Sequence, residues 1–264
     1  MVKVKDVLKC LNDFAPVDLK MDYDNVGFLV GFSENEVSRV IVSLDITSDV
    51  IAEAIRENAQ LIVSHHPVLF DAVSSVTDND LVGRKITTML SGGISAICMH
   101  TNLDIVSGGV NDALAREAGI TSPQLLCEYG VYDEKPYGIG KYGDLNKTME
   151  FSEYLNFIKT NLNANGLRYY YAGRKVSRVA VVGGSGGSNM YDAIEKGCDT
   201  FITSDIRYNV FLEAKELGIN LIDGDHFCTE NVVVPVLAEK LKCGFPDLEI
   251  KISEENTQTA RFYM

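Results

Sequence analysis

Only four histidines occur in this 264-residue chain, at positions 65, 66, 100 and 226. His100 is followed by Asp104 and His226 by Glu230, and the spacing His226-x-x-x-Glu230 puts both of those side chains on one face if a helical turn forms there. His65 and His66 leave the apolar run Leu61-Ile62-Val63-Ser64 just before Pro67. Imidazole and carboxylate together suit Zn, Mn, Fe or Co, and this donor set exceeds what one tetrahedral ion needs. Two divalent ions bridged by a carboxylate would use the whole set, and such pairs activate a bridging water for hydrolysis. Singly, these residues have plainer readings. A histidine after a strand serves as a hydrogen-bonded loop residue, and Asp104 or Glu230 as a capping or solvated carboxylate. Their shared placement at strand ends favours the metal site. Pro235 limits the turn carrying His226 and Glu230, because a helix running through it loses a backbone bond.

Elements must bring these groups together. Val4, Val7, Leu8 and Leu11 have the spacing of an amphipathic helix that ends near Pro16. Strands are expected over 37–44, 61–64 and 94–98, with a helix from Ser48 to Asn58 and another over 81–90. This is a parallel β-α-β pattern, and ligands collect at the carboxyl ends of such strands. The pattern recurs: Val37-Ser38-Arg39-Val40 reappears as Val176-Ser177-Arg178-Val179, an offset of 139 residues. The same ungapped offset pairs Ala54-Ile55 with Ala193-Ile194 and Val63-Ser64 with Ile202-Thr203. The second copy continues with a helix over 210–217, a strand over 220–222 and then His226. The expected architecture is α/β, two related lobes over 1–126 and 176–264 joined by a connecting segment, 127–175, that adds a helix over 148–162 and a strand over 167–171.

Asp and Glu number 37 against 24 Lys and Arg, a net charge of −13 that disfavours nucleic-acid backbones and anionic membranes as partners. The amino terminus lacks the pattern of a signal peptide, and no run approaches the ~18 apolar residues of a membrane span. The six cysteines form no C-x-x-C pair. A soluble cytoplasmic protein with reduced thiols is expected. Gly138-Ile139-Gly140-Lys141-Tyr142-Gly143 matches G-x-G-x-x-G, yet no apolar strand precedes it and it is not read as a dinucleotide site. Gly183-Gly184-Ser185-Gly186-Gly187 lies between a strand and a helix and reads equally as a tight turn or as a phosphate or substrate contact through Gly184 and Ser185. Asp45 reads as an acceptor behind a ligand histidine, as a substrate contact, or as a plain loop carboxylate. Arg207 and Lys141 are the basic residues nearest the motifs for an anionic substrate.

Asp24-Asn25-Val26-Gly27, Leu44-Asp45-Ile46-Thr47, Ser64-His65-His66-Pro67, His100-Thr101-Asn102-Leu103-Asp104, Gly183-Gly184-Ser185-Gly186 and Gly224-Asp225-His226 with Glu230, taken in order, resemble the serial motifs of the Nif-three-like family, whose members are labelled GTP cyclohydrolase 1 type 2 homologues. The resemblance covers nearly the whole length. It implies a dinuclear metal centre in the cleft between two lobes and a toroidal homohexamer. By motif matching it implies His65, His66, Asp104, His226 and Glu230 as ligands, Glu230 as the bridge, and His100 beside the metals as an acid/base or substrate contact. The implied activity is hydrolytic opening of the purine ring of GTP, with a small-molecule substrate, nucleotide in the first instance. A metal-dependent phosphate-ester hydrolase and a non-enzymatic metal-holding ring are the competing readings. Tyr23 stands where the family usually has Trp, and Thr203-Ser204-Asp205-Ile206-Arg207-Tyr208-Asn209 replaces a segment that usually carries Glu and His, so substrate identity does not carry over with the metal ligands.

Overall fold

The apolar runs become strands. In the computed structural model, which describes residues 1–263, Gly27–Val30 (β1), Arg39–Ser43 (β2), Leu61–Ser64 (β3) and Ser95–Cys98 (β4) form a sheet in the order β1-β4-β3-β2. The late strand Glu249–Ile252 completes it beside β2. β2, β3 and β4 run parallel and β1 antiparallel. Every residue of β3 and β4 is buried, which is why they read as unbroken apolar runs without alternation. Helix α1 (Val4–Phe14) buries Val4, Val7 and Leu11, the stripe its periodicity requires. Helix α2 (Ser48–Arg56) starts where the sequence places it and is capped by Thr47, whose side chain accepts from Val50 N. Helix α3 spans Leu81–Ser91, and the short helix α4 (Thr101–Ile105) follows β4. These elements, with helix Val234–Gly244, make the first compact unit, residues 1–106 and 233–257.

The second unit comprises 107–232 and 258–263 of the described chain. Its strands are Ile120–Tyr132 (β5), Lys135–Met149 (β6), Arg168–Tyr170 (β7), Val176–Val181 (β8), Thr200–Thr203 (β9) and Asn220–Asp223 (β10), in the order β5-β6-β8-β9-β10-β7. Its helices are Val110–Glu117 (α5), Phe151–Asn161 (α6), Met190–Glu195 (α7), Tyr208–Leu217 (α8) and His226–Asn231 (α9). The parallel run β8-β9-β10 with antiparallel β7 at its edge repeats the arrangement β2-β3-β4 with β1. The 139-residue offset carries β3 onto β9, and carries α2 onto the 3-10 turn Gly187–Asn189 plus α7.

The unit boundaries differ from lobes at 1–126 and 176–264 with a connector between. Residues 120–149 are no connector but a long antiparallel hairpin, β5 with β6, whose second strand pairs β8 and belongs to the second sheet. The carboxyl-terminal strand pairs β2 and therefore belongs to the first unit. Gly138 and Gly143 lie within β6, so the G-x-G-x-x-G match falls in a strand and opens no helix. Among the described residues no helix is long and apolar enough to cross a membrane.

Candidate metal centre

In the first unit the parallel strands deliver three imidazoles to one end of the sheet. His65 and His66 leave β3, their backbone amides bonded to Ser43 O at 3.3 Å and Leu44 O at 2.8 Å, while Ser64 Oγ donates to His66 O at 2.8 Å. His100 is the cap residue of α4, and Asp104 lies on that helix. The ring centroids are 4.9 Å apart for His65 and His66, 5.2 Å for His65 and His100, and 5.5 Å for His66 and His100. One ligand nitrogen from each of the three falls within a 4.8 Å set.

Each of these rings is held through Nδ1. His65 Nδ1 donates to Met99 O at 2.8 Å, His66 Nδ1 to Asp45 Oδ1 at 2.7 Å and His100 Nδ1 to Asp24 Oδ1 at 2.8 Å. With Nδ1 carrying the proton, a neutral ring offers its lone pair at Nε2, the arrangement found behind metal-ligating histidines. His65 Nε2 lies 3.5 Å from Asp104 Oδ1. Both atoms are acceptors in that state, so a cation between them turns an unfavourable approach into two ligand bonds. The donor chemistry fits a divalent ion.

Of the two carboxylate acceptors, Asp24 is the more buried. It is buried, its Oδ2 accepts from Thr101 N at 3.0 Å and from the Thr101 hydroxyl, and its Oδ1 also accepts from Asn25 N at 2.8 Å. Burial alone would raise its pKa, but the His100 and Thr101 hydrogen bonds outweigh it and hold the carboxyl well below the usual range. Asp45, one candidate substrate contact, is instead committed to His66 and, at 3.3 Å, to the Asn256 amide.

The second unit builds a smaller set on the equivalent helix. His226 and Glu230 stand on α9 at an offset of 126 residues from His100 and Asp104 on α4. The helix stops at Asn231 and a new one begins at Val234 with Pro235 in its first turn, so the proline starts a helix instead of breaking one. His226 Nε2 lies 2.9 Å from Glu230 Oε2, and Nδ1 lies 2.6 Å from Asp205 Oδ2. Burial opposes a charged ring here, yet hydrogen bonds and charge from Glu230 and then Asp205 prevail and raise its pKa to about 9. The pair of carboxylates thus makes a place where positive charge is held. Asp205 and Asp225 both adopt positive φ, 52° and 69°, the left-handed region that Asp tolerates better than most residues.

The glycine loop after β8 serves this pair. Gly183 N donates to Asn111 Oδ1, Gly184 N to Thr229 Oγ1 and Gly186 N to Thr203 Oγ1, so these amides anchor a turn and do not form an open anion cradle. Gly184 has φ +65°, and a Cβ there would overlap Glu230 Oε1 and come within 3.3 Å of His226 Nε2. Gly184→Ala is therefore expected to displace the Glu230 carboxylate and to lower metal affinity by about tenfold or more, measured by competition with a chromophoric chelator. Ser185 and Arg207 line a recess of about 460 Å³ together with Asp205 and Tyr191, and Gly184 does not. Lys141 pairs with Asp112 at 3.1 Å. The sequence reading missed Asp24 and Asp205 as acceptors behind histidines. Asp24 opens the motif Asp24-Asn25-Val26-Gly27, and Asp205 lies in the segment that departs from the family pattern.

The molecule so defined is a two-sheet α/β protein with histidine and carboxylate donors gathered at the ends of its parallel strands. A family model described as Duf34/NIF3 (NGG1p interacting factor 3) matches residues 2–259, and the chain belongs to that family. A Clostridium perfringens protein named GTP cyclohydrolase 1 type 2 homolog is 37% identical over 258 residues, 96% of this chain and 97% of its own. A protein of the same name from Clostridium acetobutylicum is 36% identical, with 99% of both chains covered. Among solved structures, a Staphylococcus aureus protein aligns with TM-score 0.92 at 29% identity over 99% of both chains. Reduced HcgD from Methanocaldococcus jannaschii aligns with TM-score 0.80 at 28% identity, covering 96% of this chain and 98% of its own.

Proposed function

We propose that this protein is a divalent-metal-dependent hydrolase in which His65, His66 and Asp104, together with His226 and Glu230, hold two ions, with Glu230 shared between them. The observation that carries the reading is that all four histidines in the chain present Nδ1 to an oxygen acceptor. Four such rings by chance would be an unusual use of so scarce a residue. His226 and Glu230 alone are too few to satisfy a four-coordinate ion, which is why the two donor sets are assigned to one centre. The bound ions supply Lewis acidity and a water activated at neutral pH.

The chain's own groups supply the rest. His100, oriented by Asp24, exchanges a proton with the substrate at Nε2, and the depressed pKa of Asp24 keeps that acceptor ionised throughout. Ser185 and Arg207 contribute hydroxyl and guanidinium groups to the recess in the second unit, where an anionic substrate group is received. GTP is the first substrate to try, on the strength of the relatives' names, with phosphate esters second.

The test is a screen of metal-reconstituted protein against GTP, other nucleotides and phosphodiesters, with Glu230→Gln as the control. Turnover that Glu230→Gln abolishes supports the reading. Silence across the screen, with metal content intact, overturns the hydrolase and leaves a protein that holds metal without turnover. The ring of six chains is part of the same proposal, and sedimentation of the purified protein at the mass of fewer chains would remove it.

A further inference from the structure

The first unit contains a half-buried cation that the metal reading does not use. Lys85 lies on α3 one turn after Val82, and that spacing turns both side chains to one recess of about 320 Å³. Ile46, Val68, Leu69 and Phe70 supply its apolar walls, and His66 and Asp45 stand at one side. Phe70 and His100 meet edge to face with centroids 6.1 Å apart, so an aromatic wall continues from the recess toward the imidazoles. Among the described residues Lys85 enters no hydrogen bond or ion pair. Burial lowers its pKa, with the charge of Asp45 acting in the opposite sense. Asp45 itself is engaged by His66 and Asn256, and Asp71, the other carboxylate of the lining, is exposed.

A lysine kept against apolar walls, in a chain of net charge −13, carries a desolvation cost that an arriving anion offsets. The volume is at the lower end for a ligand pocket, right for one ring with its substituent and too small for a large cofactor. We infer that this recess binds a flat aromatic group bearing a phosphate or carboxylate, the ring lying against Phe70 and Val82 and the anion meeting Lys85 Nζ. The inference rests on the hydrolase reading only for the meaning of that ligand as substrate. The recess lies wholly within the first unit and its filling requires no ion.

Binding is therefore measured on chelator-treated, metal-free protein with phenyl phosphate as probe, by calorimetry or ligand-observed NMR. The wild-type chain is expected to bind phenyl phosphate roughly tenfold or more tightly than inorganic phosphate, because only the former fills the apolar walls. Lys85→Gln is expected to weaken phenyl phosphate by roughly tenfold or more while leaving phenol unaffected, and Lys85→Arg to retain binding. Lys85 stands outside the buried stripe of its helix, Gly83, Ile86 and Met89, so these variants are expected to fold, and a circular dichroism spectrum matching wild type checks it. Equal affinity of wild type and Lys85→Gln for the probe, or no binding by wild type at millimolar concentration, overturns the inference. Either result leaves metal content untouched, so this failure is distinct from failure of the metal centre.

Discussion

Metal analysis of the zinc-saturated protein is expected to give close to two ions per chain, and His66→Ala or Glu230→Gln to remove at least one. The assigned ligands differ in what supports them, and the variants test that ordering. His66 is fixed by its amide bond to Leu44 O, by the Ser64 hydroxyl at its carbonyl and by Asp45, so replacing it deletes a preorganised donor and leaves the Asp45 carboxylate without its ring. Glu230→Gln preserves shape and removes a charge from the carboxylate assigned to both ions. Asp205→Asn is the more discriminating change. It leaves every proposed ligand in place and alters only the acceptor behind His226, so it is expected to weaken metal binding by about ten- to a hundredfold without reducing the stoichiometry at saturation. Wild-type content in His66→Ala and Glu230→Gln would refute the assignment.

Asp24→Ala is expected to destabilise the first unit by about 2–4 kcal/mol, because it orphans the Thr101 amide, the Thr101 hydroxyl and the His100 ring together. A drop of roughly 5–10 °C in the melting midpoint is the corresponding readout. The pH dependence follows from the depressed carboxyl. A group whose pKa is lower in the folded than in the unfolded chain contributes fully above the unfolded value and loses that contribution as pH falls through the folded one. The stability gap between wild type and Asp24→Asn is therefore expected to persist at neutral pH and to close as pH falls below the ordinary value of 3.8, followed by urea unfolding at several pH values. A gap that widens on acidification would contradict the burial and bonding described for Asp24. Because Asp24 acts on His100 only through its orientation, the metal content of Asp24→Asn is expected to stay closer to wild type than that of Asp205→Asn.

The parallel cores were legible in the sequence because both consist of short apolar runs ending at chemistry-bearing loops. β3 and β9 fall at the offset read from Val63-Ser64 and Ile202-Thr203. The hairpin was not legible for the opposite reason. β5 is an edge strand with most of its residues exposed and β6 beside it mixes exposed with buried positions, so Tyr, Lys and Gly replace the apolar signal, and a Cβ at Gly138 would overlap Cys127 O on the paired strand. Glycine that reads as loop punctuation is there a requirement of close strand approach. The strand Glu249–Ile252 was missed because its four residues alternate charge and apolar character at a sheet edge. In the candidate site, the histidines and their i+4 carboxylates were visible as spacing. The acceptors behind them were not, because Asp24 and Asp205 lie 76 and 21 residues from the rings they hold, and only the fold joins them.

The return of Glu249–Ile252 to β2 governs how this chain is born. The second unit is almost contiguous, 107–232, and has its strands in hand as soon as that stretch leaves the ribosome. The first unit begins the chain yet waits for residues 233–257 to finish its sheet, so nascent β2 presents an unpaired edge during synthesis of everything between. Order of emergence and order of completion are reversed: the unit made second is the one that can close first.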